Sequence, residues 1–230
     1  MKKRFLTLIV GGSMMAATSL VVFVESPAFA DEAISQSIDI DIQYRYRRKG
    51  SNEFKMLTDG GTLYSGDSYK IVFTPTETTY VYIFQKGSSG NLYRLFPMKG
   101  FNGVIVNNFN PAQAGTTYFI PAPNKSFFLD EQIGEEQIYI IAARQADRML
   151  DQQYQQVLIA RRGYNPVTIQ RSQAALERAI NMRDPSGITT DSVVIQQQTK
   201  ADDEEQPFAM LWQRLEICEG CVNRLTFRHR

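Results

Sequence analysis

From Ile38 to Arg47 the chain alternates apolar and polar residues without a break. Ile38, Ile40, Ile42, Tyr44 and Tyr46 fall on one face, and Asp39, Asp41, Gln43, Arg45 and Arg47 on the other. Period two over ten residues means a strand buried on one side. Runs rich in Val, Ile, Tyr and Phe follow at short intervals: Ser68–Thr74, Thr79–Gln85, Leu92–Phe96, Val104–Val106, Thr117–Ile120, Ser126–Leu129 and Gln137–Ala143. Turn chemistry separates them at Asp59-Gly60-Gly61, Ser65-Gly66-Asp67, Gly87-Ser88-Ser89-Gly90, Pro97 to Gly103 and Pro121-Ala122-Pro123-Asn124. Many short strands at this spacing predict a mainly β fold, an antiparallel β-sandwich or a small barrel-like core. Within the run Thr79–Gln85, Tyr80, Tyr82 and Phe84 share one face and Val81 and Ile83 the other. A strand apolar on both faces is a central one covered on two sides.

The period changes after Ala143. Leu150, Tyr154, Val157 and Leu158 take helical spacing, and Asn165-Pro166 opens a second helix with Ile169, Leu176, Ala179, Ile180 and Met182 as its apolar side. Asp184-Pro185-Ser186-Gly187 stops it. Residues 187–198 read as a strand through Val193, Val194 and Ile195, and residues 200–207 as a polar, acidic loop. Residues 208–217 fit a helix through Phe208, Leu211, Trp212 and Leu215, or a strand through Leu211, Leu215 and Ile217; two strands around a Cys-containing turn are favoured. Leu225 and Phe227 belong to a final strand. The expected organisation is a signal peptide over 1–30, a β-rich domain over 31–145, and a helical segment with C-terminal strands over 146–230, packed on the same domain.

The N-terminus carries an export signature. Lys2, Lys3 and Arg4 precede an apolar stretch from Phe5 to Val24, and Ala28-Phe29-Ala30 puts small residues at −3 and −1 before Asp31. Gly11, Gly12, Ser13, Thr18 and Ser19 dilute the apolar stretch, which favours a cleaved Sec-type signal over a retained anchor. The expected location is periplasmic or extracellular, with no membrane span after cleavage. Loss of Lys2, Lys3, Arg4 and Glu25 turns the formal charge from +1 to −1, too little positive charge for a partner held through nucleic-acid phosphates. A composition 43% hydrophobic argues against wholesale disorder.

One set of segments forms a connected signature. Leu63-Tyr64-Ser65-Gly66-Asp67, Tyr80-Val81-Tyr82-Ile83-Phe84-Gln85, Gly90 and Leu95-Phe96-Pro97 lead to Ala114-Gly115, Ile120-Pro121, Phe127-Phe128-Leu129 and Gly134-Glu135-Glu136. In this order they resemble the bacterial domain of unknown function 4384 family over about residues 63–144. The resemblance implies an accessory module of secreted and multidomain bacterial proteins, and it carries over no active site.

The residues offer little catalytic chemistry. His229, the single histidine, sits one residue from the C-terminus, where a frayed end would make a poor general base. One His and two Cys do not make a multi-ligand metal or haem site, so no metal or cofactor is expected. Asp130, Glu131, Glu135 and Glu136 read as a solvated turn, and Asp39 and Asp41 as residues that keep a sheet edge soluble. Cys218-Glu219-Gly220-Cys221 predicts a structural disulfide, since two thiols this close pair in an oxidising compartment. The alternative is a thiol–disulfide redox protein using Cys218 and Cys221, which would place a helix directly after the first thiol. Arg45, Arg47 and Arg48, with Lys49 beside them, form the best basic cluster and the candidate binding residues. The functional expectation is an exported, non-catalytic cell-envelope interaction module that binds a protein or glycan partner.

Overall fold

The structure, a computed structural model, describes residues 37–185, 191–194 and 211–230. The signal peptide expected at 1–30 and the acidic loop expected at 200–207 lie outside these residues, as does most of the strand expected at 187–198. Fourteen strands and two helices are described: β1 (Ile38–Arg47), β2 (Lys55–Met56), β3 (Gly61–Leu63), β4 (Ser68–Pro75), β5 (Tyr80–Lys86), β6 (Leu92–Phe96), β7 (Met98–Phe101), β8 (Val104–Asn108), β9 (Tyr118–Ile120), β10 (Phe127–Phe128), β11 (Gly134–Ala143), α1 (Arg148–Arg162), α2 (Pro166–Asn181), β12 (Asp191–Val194), β13 (Leu211–Ile217) and β14 (Val222–His229).

Two sheets face each other. The first runs β10-β4-β1-β13-β12, with β2 also paired to β1 and β9 to β4; the second runs β3-β14-β11-β5-β6. The alternation of β1 becomes its two faces. Ile38, Ile40, Ile42 and Tyr44 join Tyr69, Ile71 and Phe73 of β4 and Leu215 and Ile217 of β13, against Val81, Ile83, Ile138, Ile140, Leu225 and Phe227 of the second sheet. Each fully buried Ile or Phe there contributes about 1.5–3 kcal/mol. The sandwich is not a closed barrel. A third sheet, the β7–β8 hairpin, turns at Asn102-Gly103, both at positive φ. The expected loop between Pro97 and Gly103 is therefore a strand and the turn of this hairpin.

The other face of the second sheet carries the helices. Tyr82, Phe84, Tyr139 and Ile141 pack against Leu150, Tyr154 and Val157 of α1 and Leu176 and Ile180 of α2. This is why β5 is apolar on both faces: one lines the sandwich, the other the helical layer. Asp147 caps α1 by accepting from the Leu150 N–H at 2.9 Å, and Asn165 caps α2 by accepting from the Thr168 N–H at 3.1 Å. Met182, placed by its spacing on the apolar side of α2, caps the helix instead and is 85% exposed.

The C-terminal strands are integral to both sheets. β13 pairs with β1 and β14 with β11, in register Ile40↔Leu215 and Ile138↔Leu225. Residues 211–217 are strand, as favoured. β1 is thus a central strand, and Asp39 and Asp41 do not guard an edge. Asp41 is buried and receives two hydrogen bonds from Arg214, its cross-strand neighbour, at 2.9 and 3.1 Å. His229 is not frayed either. It sits in β14 between β11 and β3, is buried, and its Nε2 lies 3.1 Å from the Ser65 hydroxyl. Its neighbour Arg230 pairs through its backbone with Leu63 and Ser65. Glu136 is likewise not solvated; it accepts from the Ser88 N–H and the Gln85 amide, both at 2.9 Å, and fastens the β5–β6 turn to β11.

Candidate functional site

The basic cluster at the end of β1 opens onto a cleft of about 430 Å³ lined by the segment from Arg47 to Asn52 together with Gly66, Ser68 and Phe128. Its floor follows from strand register. Arg47 pairs with Ser68 on β4, and Ser68 pairs with Phe128 on β10. Residues directly opposite one another in a sheet point to the same face. Arg47, Ser68 and Phe128 therefore form a row on the outer face, with a small serine between two large side chains. Two strand spacings separate the flanking residues, about 10 Å. Phe127 points the other way, onto Tyr69 at 5.2 Å between ring centroids. Phe128 is 70% exposed.

The cations of the cluster have separate fates. Arg48 is committed: its guanidinium binds Asp67 at 2.6 Å and lies over the rings of Tyr46 and Tyr64. Asp67, nearly fully buried, also accepts from the Lys49 N–H at 3.0 Å and the Tyr64 N–H at 2.9 Å. Burial alone would raise the Asp67 carboxyl, but the two N–H groups and the guanidinium outweigh it and hold the carboxyl below its ordinary value. Burial opposes the Arg48 charge in the same way, and Asp67 again prevails, so the guanidinium is held above its ordinary value. Arg45 lies further along the outer face and donates to Gln43 at 2.7 Å. Arg47 stacks over Phe54 at 5.2 Å, and the ring of Phe54 also meets Lys70. Arg47 and Lys49 have no carboxylate partner among the described residues.

Gly66 lies beneath the Lys49 side chain. It adopts φ +86°, and a Cβ there would stand 2.8 Å from Lys49 Cδ. The positive φ is what favours glycine here, and the flexible lysine stem lies across it. Of the three arginines singled out in the sequence, Arg47 and Arg48 line the cleft, and Arg45 does not. The residues that pattern-reading missed are Ser68 and Phe128. A Phe-Phe pair within a strand was the available signal, since one ring of an adjacent pair must face outward.

Cys218 and Cys221 are joined, with Cα atoms 5.2 Å apart, in the turn between β13 and β14. The turn meets the helical layer. Arg183, just after α2, donates to the Gly220 carbonyl at 2.9 Å and pairs with Asp147, the α1 cap. The Gly220 N–H in turn binds the Ala142 carbonyl of β11 at 2.9 Å, and Glu219 pairs with Arg144. No group of three or more metal-ligating side chains occurs among the described residues.

Residues 62–146 match the family described as Domain of unknown function (DUF4384). The DUF4384 segment runs from β3 to the residues before α1 and includes Gly66, Asp67, Ser68 and Phe128, whereas Arg47, Arg48 and Lys49 precede it. The cleft is thus shared between the DUF4384 segment and β1. No curated protein and no solved structure matches the chain.

Proposed function

We propose that this protein is exported and serves as a non-catalytic interaction module of the bacterial cell envelope, holding an acidic protein or glycan partner in the cleft of Arg47 and Lys49. The observation that carries this reading is the division of labour among adjacent cations. Arg48 is pinned by Asp67, and that ion pair holds the strand end from which Arg47 and Lys49 present charges with no carboxylate partner among the described residues. A guanidinium and an ammonium on a fixed strand end suit an anionic group, the first as a planar fork and the second as a point charge. The hairpin setting of Cys218 and Cys221 supports a structural disulfide over a redox pair, because a low thiol pKa is ordinarily made at a helix N-terminus.

Charge reversal tests the binding reading. Arg47→Glu with Lys49→Glu should abolish salt-sensitive retention of envelope polymers on the immobilised protein and lower its unfolding midpoint by only a few degrees, through loss of the Arg47 stacking on Phe54. Retention equal to wild type would remove the cleft from the proposal. Turnover of insulin disulfides by the exported protein, lost on replacing either Cys, would replace it with the redox alternative. Mass spectrometry of the exported chain should find Asp31 as its first residue; a full-length chain in the membrane fraction would refute export by cleavage.

A further inference from the structure

We infer that the cleft takes an acidic saccharide, a sugar ring bearing a carboxylate or phosphate, with the acid group between Arg47 and Lys49 and a face of the ring on Phe128. This rests on the reading of the cleft as the binding site and names its ligand class. Three observations lead to it.

The first is the row Arg47–Ser68–Phe128. Its register places a cation and an exposed aromatic ring on one sheet face, about two strand spacings apart. Ser68 between them is almost fully buried and adds no height. The cleft therefore has a charged wall and an aromatic wall. The second is the conformation of Phe128. Its neighbours Phe127 and Leu129 both pack inward, and the Leu129 backbone is bonded to Gly66 and Asp67, so the exposed ring stands on a fixed strand. An aromatic held this way offers contact area at small entropic cost. The third is the character of the remaining lining. Lys49 and Arg47 only donate, while Ser51 and Asn52 donate and accept. That set matches a ligand with an acid group and several hydroxyls. An acidic peptide of Asp and Glu would need the cations but would bring no apolar group to the exposed ring.

The discriminating experiment is isothermal titration of the exported protein with four probes: trigalacturonate, its methyl ester, glucose 6-phosphate and hexaglutamate. Trigalacturonate or glucose 6-phosphate should bind saturably, and the stronger of the two identifies the acid group. The methyl ester, with the rings kept and the charge removed, should bind at least roughly ten-fold more weakly than trigalacturonate, a loss of about 1.4 kcal/mol. Phe128→Ala should weaken the preferred acidic sugar by roughly ten-fold and leave hexaglutamate unaffected. Phe128 is exposed, so this variant keeps the fold, which an unchanged unfolding midpoint would verify. Hexaglutamate binding as tightly as the acidic sugars, with Phe128→Ala silent on all probes, would overturn the saccharide and leave the basic cleft standing. Binding of acidic sugar unchanged in Arg47→Gln/Lys49→Gln, or no saturable binding of any probe, would overturn the cleft as well.

Discussion

Replacing Asp67 by alanine should cost about 3 kcal/mol, the sum over the three donors it satisfies. The carboxylate accepts from the backbone N–H of Tyr64 and of Lys49 and from the Arg48 guanidinium. Alanine leaves all three donors without it. A buried donor left unsatisfied costs about 1–3 kcal/mol. Tyr64 and Lys49 are exposed residues, so the lower end is taken for each. The Arg48 side chain is 37% exposed, and its ion pair counts as a surface one, worth at most about 1 kcal/mol. In a chain of this size 1 kcal/mol corresponds to about 2–4 °C in Tm, so the loss should approach 10 °C. Urea unfolding should show a lower midpoint at unchanged slope. Acid dependence gives a second readout. The folded carboxyl lies below its unfolded value of about 3.9, so its stabilisation is complete above that pH and is lost as pH falls through the folded value. Asp67→Asn should therefore be less stable than wild type at neutral pH and lose less of its stability on acidification. A change below about 0.5 kcal/mol in Asp67→Ala, the size of an indifferent surface substitution, would refute the assignment of Asp67 as the pin of this turn.

Replacing both Cys218 and Cys221 by serine should cost about 2 kcal/mol in the chain-entropy account of so short a loop. Hydrogen exchange should quicken first in α1 and α2, because the turn is tied to Asp147 through Arg183; uniform loosening of both sheets would contradict that tie. Tyr82 accepts from the Asp147 N–H at 2.8 Å, and burial pushes its phenol up to about 12. Its stabilisation should hold below the ordinary phenol value of about 10 and disappear as pH rises toward about 12, a loss that Tyr82→Phe should not show in alkaline unfolding curves.

The parts of this fold legible in the sequence are those whose period is imposed by burial. The strand Ile38–Arg47 emerged with its predicted ends because every second residue must reach the core. β5 could be read as central because both its faces are apolar, and the helices because Asn165-Pro166 supplies a cap and a first-turn proline. The missed elements are short and set by partners distant in sequence. β3 exists because residues 61–63 pair with β14, over 160 positions away, and nothing in Gly61-Thr62-Leu63 records that partner. The burial of His229 has the same origin. A residue beside a terminus frays unless the fold covers it, and here β11 and β3 flank it. The cleft shows the division most clearly. Its charges were visible as Arg45, Arg47, Arg48 and Lys49 in one run, but which of them are committed depends on Asp67, brought from the β3–β4 turn. A charge cluster in sequence counts candidates. The buried carboxylate that pairs with one of them decides which remain to meet a ligand, and the register of β1, β4 and β10 decides what stands opposite.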